Sequence, residues 1–462
     1  MDSHLQENHL KGNESVVSHS AGAEALGDDS VPEVASQAGN TLSPVVASVV
    51  AALLVTLVAL LLWHVVGDMR NTPPADADSY RAMASGHNAI RPFANRVLAP
   101  FLAHNLGRIT ASSDDTGFFV LGLVSLWAML YGVLSPVLRG PQSLGFACAL
   151  CFMLFWKQSF SDYFLPDLLH AALLMVFMAF LRRRWWALSA AMLLPMYLAR
   201  ESTLLVSLIA VPILWRLVGR RVGLLFLGAS LTGLAVSKFA TRHGLPNIHG
   251  LNDTLYMVGK IPWNLSKNVF GITVWVNTDP LPTPPHLWQL PHWIHLDRIH
   301  QIGLYSPSSF TPGVTLIGML LAFGLGPCVM ACLLLRVPLR RLLPRTEPYL
   351  WVAAIYGGVA YLLAPALGTG VIRLAGYGWP LFLVYLPAMM PRIWRLWRPW
   401  QVLCLLVLHL GPYWILPRGW GHMPWHLAMI LGVCDALAFA LLLRAPIAAA
   451  GASPQMQPEF CR

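Results

Sequence analysis

Charge is what this sequence has least of. Lysine, arginine, aspartate and glutamate together make up 11% of its 462 residues, against about 25% in soluble globular proteins. Acids are the scarcer sign, 21 against 31 bases, while 56% of the chain is hydrophobic. Such a balance excludes a water-soluble globular domain and reads as a membrane protein. Cysteine is sparse too. Of the seven, Cys148, Cys151, Cys328, Cys332, Cys404 and Cys434 lie in apolar runs and Cys461 in the tail, which excludes a disulfide framework and fits buried packing. Cys148 and Cys151 have the C-x-x-C spacing, but no second pair or neighbouring histidine completes a zinc site. Internal repeats are also missing, which counts against the repeat-built transporter folds.

What is present is a series of long apolar runs. Crossing the hydrocarbon takes about 17 to 25 mostly apolar residues, because each backbone amide must be satisfied within a helix there. Runs that read as spans lie near 43–66, 117–138, 144–156, 163–180, 185–198, 203–217, 222–236, 314–335, 349–366, 372–390, 401–416 and 425–443. The expected fold is therefore all-α, a polytopic transmembrane helical bundle of about twelve spans. Residues 1–41 are polar and acidic and read as a disordered cytosolic tail. The first span is too long, and its approach too acidic, for a cleaved signal peptide. Residues 42–400 read as the main transmembrane module, 401–446 as C-terminal spans and 447–462 as a tail.

The net charge of +10 reports topology rather than nucleic acid. Counted from a cytosolic N-terminus, the inward turns hold Arg139; Arg182, Arg183 and Arg184; Arg216, Arg220 and Arg221; Arg336, Arg340, Arg341 and Arg345; and Arg392, Arg395 and Arg398. Short outward turns hold single cations such as Lys157, Arg200, Arg373 and Arg418. This is the positive-inside asymmetry. It predicts an integral, multi-pass protein with a cytosolic N-terminus and with loops 67–116 and 237–313 outside.

The outward loops hold the polar residues of interest. After Pro73-Pro74, Asp76 and Asp78 fit as helix caps or as functional acids, and Tyr80, Met83 and Ala84 share a helical face. Beyond Pro92, Phe93, Val97, Leu98, Phe101 and Leu102 recur at helical spacing, so the loop reads as two amphipathic helices along the membrane surface. Asp167 opens a span, where a carboxylate is costly unless it faces a cavity or a partner. Arg200-Glu201 and Arg373 stand at two more outward ends. Histidines 249, 286, 292, 295 and 300 lack metal-ligand spacing. Asn252-Asp-Thr254 and Asn264-Leu-Ser266 match glycosylation acceptors.

The order of these features resembles the GT-C class of polytopic glycosyltransferases, which draw on polyprenyl-phosphate sugars. In that class an aspartate of the first outward loop precedes surface helices, often as D-x-x-x-Y-x-x-x-A, here Asp76, Tyr80 and Ala84. Arg91-Pro-Phe-Ala-Asn-Arg96-Val-Leu-Ala-Pro100 is similar to the segment that follows; Asp167 is similar to the second acidic motif; Arg200-Glu201 resembles a Lys/Arg-Glu motif, and Arg373 through Pro380 a late Arg-x(n)-Pro segment. The match is spread sparsely over 42–400, and the large C-terminal soluble domain of many relatives has no counterpart.

The resemblance implies sugar transfer from a polyprenyl-phosphate donor to an acceptor hydroxyl on a lipid or glycan, outside the membrane and with inversion. A carboxylate, with an ordinary pKa of about 4, takes the acceptor's proton as the new bond forms. Asp76 is the first choice of base and Asp78 the second, with Asp167 orienting the acceptor or sharing the work. Tyr80 and Glu201 belong to the same substrate site, and Arg91, Arg96, Lys157, Arg200 and Arg373 are the candidates for the departing phosphate, to which arginine suits bidentate contact. No metal site or cofactor is expected, a divalent cation being left open. The competing reading is a transporter or flippase of a lipid-linked or polar solute, which calls for mid-membrane charges.

The orientation is checked with single cysteines. His87→Cys is expected to react with a membrane-impermeant thiol reagent in right-side-out vesicles, and Arg183→Cys only after permeabilisation; the reverse pattern refutes the orientation.

Overall fold

A computed structural model describes residues 43–66, 76–137, 154–242, 244–245, 253–270, 273–277, 301–305, 312–324, 326–337, 342–368 and 371–393, with residues 430, 433, 434 and 437. The expected tails, the span at 401–416, most of those at 144–156 and 425–443, the Cys148–Cys151 pair, the five loop histidines and Asn252 lie outside the described residues.

The described chain is helical apart from one ribbon. Among the described residues three helices are long and apolar enough to cross a membrane, Asp114–Leu134, Arg220–Ala240 and Pro348–Leu367, and there are shorter apolar helices. Helix α1 (Pro44–Val66) lays Ala47, Ala51, Val55 and Val58 against its neighbours and leaves Val49, Leu53 and Leu57 exposed. The first loop supplies α2 (Ala77–Ala84) and α3 (Leu98–Ile109), joined by a 3-10 turn at Phe93–Asn95. Helix α4 (Asp114–Leu134) starts on Ser113, whose Oγ accepts from the Thr116 amide at 3.3 Å, and carries Asp114 and Asp115 in its first turn, where the helix dipole favours acids.

Helix α2 turns Tyr80, Met83 and Ala84 inward as expected, but α3 differs from expectation in the face it buries. In α3 the residues turned inward are Ala99, Pro100, Ala103 and Gly107, while Phe101 is 64% exposed. The reason is backbone proximity: a Cβ on Gly117 of α4 would fall on the Ala103 carbonyl, and one on Gly107 would come within 3.0 Å of the Ser113 carbonyl. Small residues permit this approach, and the large ones point away.

Helix α5 (Leu154–Ser161) precedes an antiparallel set: α6 (Asp167–Arg182), α7 (Trp186–Ala199), α8 (Thr203–Leu217) and α9 (Arg220–Ala240). Helix α6 ends with Arg184 in the left-handed region at φ 58°, and the Trp185 amide reaches back to the Phe180 carbonyl at 2.9 Å. Gly219, at φ 134°, makes the turn into α9, where a side chain would be strained. The up-and-down order sets Asp167, Arg200 and Glu201 at one end and Arg182–Arg184, Arg216, Arg220 and Arg221 at the other.

The second loop holds α10 (Asp253–Phe270) and strands β1 (Thr273–Asn277) and β2 (Gln301–Tyr305), paired antiparallel with Trp275 opposite Gly303. This ribbon is the departure from an all-α reading. Asn264 is a second correction: it is fully buried and its amide donates to the Ala366 carbonyl at 3.2 Å, so it is not an available glycosylation acceptor.

The run read as one span over 314–335 is two helices, α11 (Pro312–Ala322) and α12 (Gly326–Arg336), 11 residues each. Gly324, at φ 53°, breaks the first and Pro327 suits the start of the second. Cys328 and Cys332 are buried in α12. Then α13 (Pro348–Leu367) leads to α14 (Val371–Ala375), a 3-10 turn at Gly376–Gly378, a π-helical stretch at Pro380–Tyr385 and α15 (Leu386–Ile393). Helix α13 packs against α6, α8, α10 and α14. The core about it is aromatic, with Trp156, Tyr356, Trp379 and Tyr385 fully buried.

Gly117→Ala tests the close α3–α4 contact. Overpacking is expected to cost about 1–3 kcal/mol, read as a lowered thermal midpoint in detergent; Gly228→Ala, where a Cβ meets nothing within 4 Å, is expected to leave the midpoint in place.

Candidate functional site

Four segments distant in sequence meet at the end where α6 begins. Asp167 is the first residue of α6, its side chain 12% exposed. It is ion-paired with Arg200, which extended backbone between α7 and α8 carries inward. The Arg373 Nε stands 3.7 Å from the other Asp167 oxygen, and the Arg373 Nη1 stands 4.0 Å from the Asp76 Oδ2 at the head of α2. The result is an alternating series, Arg200, Asp167, Arg373, Asp76. Burying Asp167 alone would be costly; two guanidiniums and the positive end of α6 compensate it.

Beside this series lies a second cluster. Arg96 grips Glu201 through two hydrogen bonds, Nε to Oε2 at 3.0 Å and Nη2 to Oε1 at 2.5 Å, and its Nη1 donates to the Tyr80 hydroxyl at 2.8 Å. Tyr80 is fully buried and meets Phe93 edge-on at 5.9 Å. Arg96, Glu201 and Tyr80 thus clasp the first loop to the α7–α8 turn, and the donors of Arg96 face protein partners. Burial pushes the Glu201 carboxyl up, but the Arg96 guanidinium, its hydrogen bonds and Arg200 outweigh it and hold the group down at about 2. Arg96 is in turn raised well above its ordinary value: burial works against its charge and Glu201 prevails.

The other candidates stand apart or undetermined. Asp78 is 84% exposed and faces Arg81 at 3.4 Å. Arg91 donates to the Thr241 carbonyl at 3.4 Å, where the loop also pairs with Leu245, so it fastens the first loop to the end of α9. Lys157 lies in α5, and its side chain is outside the described residues.

Several residues were not foreseen. Arg81 binds Asp115 at 2.8 and 2.7 Å and lies over the Phe164 ring, tying α2 to α4. Tyr377 lies under the Arg200 guanidinium at 4.5 Å. His170 meets the Thr203 hydroxyl at 3.0 Å, and that hydroxyl donates to the Arg200 carbonyl at 2.9 Å. A small cleft of about 20 Å³ opens beside Asp167 and Arg373, lined also by Ser159, Asp162, Tyr377 and Trp379. Among the described residues no group of three metal-ligating side chains stands together.

Two acids, one arginine, two hydroxyls and aromatic walls around a small cleft suit a polar ligand. No family of proteins, no curated protein and no solved structure matches the chain.

The Arg96–Glu201 clasp generates a pH prediction. Because the Glu201 carboxyl is depressed in the folded chain, its contribution is fully present above its ordinary value of about 4.5 and is lost as pH falls toward about 2. Thermal midpoints are expected to be insensitive to this group from pH 5 to 9 and to fall in acid, and Glu201→Gln is expected to remove that part of the acid dependence. Glu201→Gln is also expected to destabilise by about 1–3 kcal/mol by leaving Arg96 without its partner, discounted because part of Glu201 meets solvent.

Proposed function

We propose that the chain is a multi-pass membrane glycosyltransferase that moves a sugar from a polyprenyl-phosphate donor to an acceptor hydroxyl on the extracytoplasmic face. The observation that carries the reading is the approach of Asp76 and Asp167, from two separate segments, to Arg373 beside one cleft. About twelve crossings and an outward site belong to the same proposal. Their support is the segregation of charge, with Asp76, Asp167 and Glu201 at one end of the antiparallel helices and Arg182–Arg184, Arg216, Arg220 and Arg221 at the other.

In the proposed reaction the acceptor oxygen attacks the anomeric carbon and loses its proton to Asp76. The bond from that carbon to the phosphate oxygen breaks, and the polyprenyl phosphate leaves with the electron pair. Arg373 stands where a guanidinium can stabilise that charge, and Asp167, held by Arg200, orients the acceptor and keeps Arg373 in place. A single displacement inverts the anomeric carbon. At about 20 Å³ the cleft has room for about one water, so the proposed reaction needs it to widen for a sugar and phosphate, with the isoprenoid tail outside it among the helices. Asp78, exposed and facing Arg81, is a less suitable base than Asp76. A solute transporter is less well supported, since these acids sit at helix ends.

Transfer from a polyprenyl-phosphate sugar in purified membranes tests this. Asp76→Asn is expected to lower turnover about 10²- to 10⁴-fold, the usual contribution of a general base, while Asp78→Asn stays within a few-fold of the parent. Equal turnover in the parent and Asp76→Asn removes Asp76 as the base.

A further inference from the structure

Arg373 reaches the cleft from α14, a single helical turn whose placement needs an explanation. That segment follows the C-terminus of α13, and the last carbonyls of any helix lack partners within it. Here they are met from outside. Helix α10, in the second long loop, turns two asparagines inward while its neighbouring Leu265, Val269 and Phe270 are exposed. Asn268 uses both amide hydrogens, to the Pro365 and Gly368 carbonyls at 2.7 Å each, and Asn264 donates to the Ala366 carbonyl at 3.2 Å. Both asparagines are fully buried, and their Oδ1 atoms have no hydrogen-bond partner. An unmade bond on a buried polar atom is destabilising, so stability alone is a poor reason for these two residues. Geometry is a better one: three carbonyls are fixed in direction at the point where α13 hands over to α14. Gly368 is also packed tightly onto that helix, since a Cβ there would come within 2.9 Å of the Leu374 side chain. Gly368 precedes Arg373 by only five residues.

We propose that Asn264 and Asn268 are positioning residues for Arg373, so that the second outward loop sets the guanidinium that receives the donor phosphate. The inference rests on the glycosyltransferase reading for its catalytic consequence, but not for its geometry. Neither asparagine touches the cleft; each acts through the end of α13.

A mutant cycle tests it. Asn268→Leu is expected to lower kcat/KM for the polyprenyl-phosphate sugar about 10- to 100-fold, as small misplacements of a binding group do, and to have no further effect in an Arg373→Ala background. Asn268→Asp, which keeps the shape and loses both donors, is expected to match Asn268→Leu. Asn264→Leu, which removes one longer bond, is a milder variant with the same signature should the Asn268 variants not fold. Wild-type kcat/KM in Asn268→Asp, or the same fold-loss with and without Arg373, overturns the proposal, because a merely structural role would be additive. A second readout needs no transfer. Spin labels on Ser85→Cys and Arg373→Cys, in a chain whose seven native cysteines are replaced, are expected to show a shifted or broader distance when Asn264→Leu is added. An unchanged distribution overturns the positioning role, whereas absence of transfer in the parent chain, with the shift present, counts against the catalytic reading alone.

Discussion

A carboxylate on the first turn of a mostly buried helix is the constraint from which the rest of the site follows. Asp167 is 12% exposed, and only compensation by Arg200 and Arg373, with the amide end of α6, makes that position tenable. The compensation fixes more than one side chain. Arg200 must come off extended backbone between α7 and α8, and Arg373 must come off α14, the short helix after α13. Arg373 then extends the series to Asp76 in the first loop. One buried acid therefore draws three other parts of the chain to one end of the helices.

Around this series the arginines divide into two kinds. Arg96, Arg81 and Arg91 tie the first loop down, to Glu201 and Tyr80, to Asp115, and to the Thr241 carbonyl respectively. Arg373 is different: its contacts to Asp167 and Asp76, at 3.7 and 4.0 Å, are longer than hydrogen bonds, and it borders the cleft. A loosely held guanidinium beside firmly held ones is the arrangement expected where an anion binds. The asparagine pair of α10 fits the same pattern, since a loosely paired side chain needs a firmly placed backbone.

The sequence made the helical class and the surface helices legible, because apolar length and periodicity are local properties. It also singled out Asp76, Asp167, Arg200 and Arg373, scarce charges at the ends of apolar runs. What stayed hidden depended on partners far along the chain. Arg96 looked as available to a phosphate as Arg373 until Glu201, 105 residues on, met it with both oxygens. Asp78 competed with Asp76 in sequence, and the direction of the first turn of α2 separates them. The break at Gly324 was hidden by the apolar residues on both sides, and the Asn264 triplet gave no sign that its amide lies against a helix end.

The most direct measurement is NMR of the product formed by the purified chain in lipid nanodiscs from a polyprenyl-phosphate sugar of known anomeric configuration. The account predicts release of free polyprenyl phosphate and a glycoside of inverted configuration, as a single displacement assisted by Asp76 requires. An intact donor, or a product that retains the donor's configuration, would contradict it.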